Sequence, residues 1–103
     1  MSKYIEHVQY TSVTSGEIAG SATAAQCPNI PCKAVMFTAV ASNTGQVYLG
    51  GSGVTAPDGT ADATSGIELQ AGDMTPFIPV ENLNIFYIIC SSSGDDLCYL
   101  ALR

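Results

Sequence analysis

Glycine and proline recur along this chain too often for a long amphipathic helix, and that punctuation constrains the fold more than any other feature. Ten glycines and five prolines divide the 103 residues into short runs. The runs are filled by β-branched and aromatic residues, which suit a pleated surface better than a helix. Short strands joined by turns are the expected outcome.

Residues 4–13 alternate loosely and read as a first strand, whereas residues 15–26 are small and polar and read as a loop or arm. Cys27-Pro28-Asn29-Ile30-Pro31-Cys32 is a turn, because both prolines fix φ and remove a donor. Residues 33–40 form the clearest strand. Lys33, Val35, Phe37 and Ala39 share one face and Ala34, Met36, Thr38 and Val40 the other. Both faces are mostly apolar, so this strand is expected to be central and covered on both sides. Ser42-Asn43-Thr44-Gly45 supplies turn chemistry, and residues 46–49 read as the return strand of a hairpin. Residues 50–66 carry little to pack and form the expected exposed loop. Residues 67–70 are a short strand ending in the turn Ala71-Gly72-Asp73. Pro76 and Pro79 place residues 74–80 on a sheet edge, since proline cannot donate to a ladder. Residues 84–90 read as a second central strand and residues 97–102 as the last. The expected fold is all-β: an antiparallel, jelly-roll-like β-sandwich or small barrel in one domain. Residues 1–26 are assigned to an N-terminal strand or arm and 27–103 to the sandwich.

Only 12% of the residues are charged, against about 25% in ordinary soluble domains, while 47% are hydrophobic. A domain this small buries only about 60–70% of the surface its unfolded chain exposes. Surplus apolar surface is therefore expected to be hidden in an oligomer or assembly. The net charge of −6 rests on nine acids against Lys3, Lys33 and Arg103. Three scattered cations cannot neutralise a phosphate backbone or hold an anionic membrane, so direct nucleic-acid and membrane partners are not expected. No run reaches the roughly 20 apolar residues of a membrane-spanning helix. Residues 1–7 lack the apolar core of a signal peptide, so synthesis in a cytoplasm is expected.

Motifs for chemistry are weak. Cys27 and Cys32 are spaced C-x4-C, but Cys90 and Cys98 do not match them as a second zinc knuckle. Cys27 and Cys32 can close a disulfide around the two prolines; Cys90 and Cys98 read as small buried hydrophobes or as a second pair across a turn. His7 is the single histidine, with no nucleophile motif beside it. The run from Asp58 to Asp62 lacks the glycine and glutamate of a calcium loop, having Ala63 and Leu69 at those positions. Gly50-Gly51-Ser52-Gly53 lacks the lysine of a phosphate-binding loop. No catalytic residue, metal site or cofactor is assigned, and the chain is not expected to be an enzyme. Tyr4, Ile5, Val8 and Tyr10 are the candidates for contact between subunits or with a larger surface. They could add a strand to a neighbour's open edge.

One ordered set of motifs is more specific than composition. It comprises Asn43-Thr44-Gly45-Gln46-Val47-Tyr48-Leu49-Gly50, Gly53-Val54-Thr55, Leu69-Gln70-Ala71-Gly72, Asn82-Leu83-Asn84-Ile85-Phe86-Tyr87 and Gly94-Asp95-Asp96-Leu97-Cys98-Tyr99-Leu100-Ala101-Leu102. Their order and spacing over residues 33–102 resemble small β-sandwich structural proteins of tailed bacteriophage virions, of the head decoration or cement kind. The resemblance implies a virion part made in the host cytoplasm, without catalytic residues. As a homo-oligomer, with a trimer favoured, it would bind and stabilise the shell of the major capsid protein. It also admits a receptor- or glycan-binding module, or an adaptor, of the neck or tail. The Met74–Val80 edge and the Cys27–Cys32 turn have no counterpart in that pattern.

Overall fold

The computed structural model describes residues 9–92 and 94–103. Eight strands run β1 (Val13–Ala19), β2 (Ala25–Gln26), β3 (Ala34–Ala39), β4 (Val47–Gly50), β5 (Ile67–Leu69), β6 (Ile78–Pro79), β7 (Tyr87–Cys90) and β8 (Asp96–Leu102). They form two sheets of four, a front sheet ordered β1-β8-β3-β6 and a back sheet ordered β2-β7-β4-β5. Every pairing is antiparallel.

The order has a simple origin. β1 pairs with β8, β2 with β7, β3 with β6 and β4 with β5. The chain is thus one long antiparallel ribbon, folded so that successive rungs alternate between layers. The lateral pairings β3–β8 and β4–β7 then zip each layer together. This is the jelly roll, a double-sheet solution to the problem of exposed strand edges. The all-β sandwich read from the sequence is the fold observed.

Strand alternation decides the core. On β3, Val35 and Phe37 are fully buried and Ala39 nearly so; on β8, Leu97 and Ala101 are fully buried. They meet Val47, Leu49, Leu69 and Ile88 of the back sheet in one cluster. The Phe37 and Phe86 rings cross the gap edge to face, with centroids 5.1 Å apart. Such a pair contributes about 0.5–1.5 kcal/mol beyond its area.

Four expectations change. Residues 15–26 are not a loop or arm: most of them form β1 and β2, so residues 13–26 are built into both sheets. Their small side chains are a packing requirement, since a Cβ at Gly16 would stand 2.5 Å from the Tyr99 hydroxyl and one at Gly20 would collide with Cys90 Sγ. The strand at 46–49 exists as β4 but is no hairpin partner of β3. Both edges of β3 are already taken, by β8 and β6, so the chain crosses to the back sheet. Residues 84–90 begin with a 3-10 turn, Leu83–Ile85, before β7 starts, because Asn82 Oδ1 accepts the Asn84 N–H at 2.9 Å and bends the chain. Finally, β3 is central but not covered on both sides: Met36 and Thr38 remain half-exposed. The proline-bearing edge is where it was expected, with Pro79 in β6 at the margin of the front sheet.

Candidate docking face

The front sheet turns an unusual face outward. Register places Val13, Ser15 and Glu17 of β1, Asp96, Cys98, Leu100 and Leu102 of β8, and Ala34, Met36 and Thr38 of β3 on the side away from the core. The outer face of a two-layer antiparallel sandwich is normally polar, giving the usual alternation along each strand. Here the middle of the face is apolar instead. Met36, Leu100 and Leu102 are half-buried, and Val13 is 59% exposed. Met74 and Phe77, on the chain entering β6, are 65% and 47% exposed beside them. Met36, Thr38, Cys98 and Leu100 border a shallow depression of about 180 Å³.

Charge is distributed along the strand direction. Glu17 and Asp96 lie at the end where β8 starts, and Arg103 lies just past the end where it stops, next to Lys33. Asp96 lies close enough to accept a hydrogen bond from a protonated Glu17 carboxyl and to repel an ionised one, and both effects raise the Glu17 carboxyl from its ordinary value. At the other end the Lys33 ammonium donates to the Gln9 carbonyl, and Arg103 Nη1 reaches Thr14 Oγ1 at 3.4 Å. An open cleft of about 570 Å³ lies there between Gln9, Lys33 and the Pro79–Glu81 segment.

The most specific motifs of the chain turn out to be structural. Asp95 is only 4% exposed, and its carboxylate accepts the Gly45 N–H at 2.7 Å and the Thr44 N–H at 3.0 Å. Asn43 and the Asp96 backbone exchange two further bonds, of 2.9 and 3.0 Å. The Asn-Thr-Gly and Gly-Asp-Asp stretches, 50 residues apart, therefore meet to fix the crossing from β3 to β4. At the opposite end Asn82 plays the same part, with its Oδ1 accepting the Ile30 N–H at 3.1 Å as well as that of Asn84. Within the long loop, Asp58 and Asp62 each cap a local turn, through the N–H groups of Thr60 and Thr64, both at 2.9 Å. That local use is the reason their spacing resembles a ligand loop.

Of the residues singled out for contact, Tyr4, Ile5 and Val8 lie outside the described residues. Tyr10 is described and is 48% exposed. Cys27 and Cys32 are free thiols and not a disulfide. Cys27 leaves the back sheet, its N–H bonded to Phe86 O, while Cys32 enters the front sheet, its N–H bonded to Glu81 O. The segment between them thus passes from one layer to the other. Burial pushes the Cys27 thiol up to about 12 and raises those of Cys32, Cys90 and Cys98 as well. Such thiols carry little thiolate and make poor nucleophiles. Among the described residues no three His, Cys, Asp or Glu side chains converge on a common point. No helix of the described residues is long and apolar enough to cross a membrane.

The outer residues Met36, Leu100 and Leu102 were missed as a site, although their signal was present in the sequence. Both faces of the 33–40 and 97–102 runs are apolar, and only one of them can face the core. Comparison of the chain with family models, with curated proteins and with solved structures finds no match.

Proposed function

We propose that this chain is a structural protein of a bacteriophage virion, most specifically a capsid decoration protein that docks on the mature shell and stabilises it. The observation that carries the reading is the apolar outer face of the front sheet, which joins the motif resemblance over residues 33–102. A patch of a few hundred Å² at about 25 cal/mol per Å² yields on the order of 5–10 kcal/mol on docking. Association itself costs about 4–15 kcal/mol, so one copy binds marginally. Linking copies to one another in an oligomer that engages several shell sites at once turns marginal contacts into firm attachment. Jelly rolls serve in capsids and in lectins alike, and the fold alone does not choose between them.

Counting copies in purified particles tests the reading. Hundreds per virion, lost when Met36→Lys is introduced, is the expected result; a handful per virion overturns it. A second reading, a receptor- or glycan-binding module of the neck or tail, draws on the other sheet. There Tyr87 of β7 stands opposite Gln26 of β2 on the outward face. An aromatic ring beside an amide suits a sugar. Binding of a defined glycan that is abolished by Tyr87→Ala would favour this reading over the first.

A further inference from the structure

The four edges of the two sheets are not equally protected. β6 is blunted by Pro79, β2 is two residues long and β5 is three. β1, the outer strand of the front sheet, is seven residues long and carries neither proline nor lysine. A long unprotected edge of this kind is a template for another strand.

The unused groups on that edge can be counted. The Gly20 N–H bonds Asp95 O, and Ser12 exchanges N–H···O bonds with Arg103, so even-numbered residues point their main-chain groups at β8. In an antiparallel ladder the residues between them point away. Val13, Ser15, Glu17 and Ala19 therefore present four N–H and four C=O groups to the outside. None of these groups bonds to another described residue.

We propose that β1 pairs with β1 of a second copy, antiparallel about a two-fold axis through Gly16. In this register Val13 faces Ala19 of the second copy, and Ser15 faces its Glu17. All eight outward N–H groups of the two strands then meet all eight outward C=O groups. Other registers leave some of them unpaired. The register also sets each Glu17 opposite a serine hydroxyl and not directly opposite the other Glu17. The two front sheets become one sheet of eight strands, and their apolar outer faces lie side by side as one surface. The pairing extends the structural reading of the chain but stands on the edge alone. Copy number in particles tests that reading, whereas association in solution tests this one.

The experiment uses the full chain. Sedimentation across a concentration series is expected to show a monomer–dimer equilibrium. In the dimer the amides of Val13, Ser15, Glu17 and Ala19 exchange slowly. Ser15→Glu sets two like-charge pairs across the axis while changing only an exposed side chain, and weakens association about tenfold. Adding Glu17→Lys to Ser15→Glu turns both pairs into attractions and restores association to within about threefold of the parent. A monomer at every concentration overturns the proposal, whether its edge amides exchange fast or are covered by the chain's own residues 1–8. So does an oligomer indifferent to Ser15→Glu, or a double variant that stays dissociated.

Discussion

The two sheets of this sandwich are built on different terms. The front sheet has long ladders: β8 matches seven residues of β1 on one side and six of β3 on the other. The back sheet is short, with β7 matching two residues of β2 and four of β4. Side chains make up the difference, for Asp95, Asn43 and Asn82 fasten the loops that lead in and out of its strands. A layer held by its main chain tolerates an apolar, uncovered outer face. A layer held by side-chain staples does not tolerate their loss. Surface variants of the front sheet should therefore read out on association, and variants of the staples on stability.

The largest effect belongs to the core that both layers share. Leu97 is fully buried where β8 faces the back sheet, and Leu97→Ala is expected to cost about 3–4 kcal/mol in urea unfolding. Asp95→Ala comes next, at about 2–3 kcal/mol, because it leaves the Thr44 and Gly45 amides without their acceptor. In hydrogen exchange, the same variant should release β4 and β5 well before β3 and β8. If both layers open together, the proposed contrast between them is wrong. Leu100→Ser lies far lower. Leu100 is central in the sheet yet half-exposed on the outer face, so a stability change within about 0.5 kcal/mol is expected. A loss as large as that of Leu97→Ala would mean that the face is covered within the chain itself.

How much of this could be read beforehand follows from what each residue does. β3, β7 and β8 are dense in apolar and β-branched residues, and their positions were legible apart from the 3-10 turn that opens the 84–90 run. β1 and β2 were not. Gly16 and Gly20 resemble loop residues until Tyr99 and Cys90 are seen packed against them, and such a requirement is set by tertiary contact. The pairing of β4 was missed for a similar reason: a turn sequence shows that the chain reverses but not which layer receives it. The edges of β3 are filled by β8 and β6, and the crossing is fastened by Asp95, both from the later half of the chain. The apolar outer face was half legible, since two-sided apolar strands announce themselves. Which side stays uncovered is fixed only when both sheets are in place.

The smallest effect probes the acidic margin of the front sheet. The Glu17 carboxyl is raised from its ordinary value by the hydrogen bond and the charge of Asp96. A carboxyl whose value is raised in the folded chain binds its proton more tightly there than in the unfolded chain. Repulsion between the two acids therefore burdens the fold above the raised value, and the burden fades as pH falls through it toward the unfolded value. Glu17→Gln removes that repulsion. Its melting temperature is expected to exceed the parent's slightly at neutral pH, with the gap closing as the pH falls through the raised Glu17 value and narrowing in high salt. A variant less stable than the parent at neutral pH would mean that a cation already neutralises the pair. The two described cations, Lys33 and Arg103, lie at the other end of the sheet, so that cation would come from outside the described residues or from a second molecule.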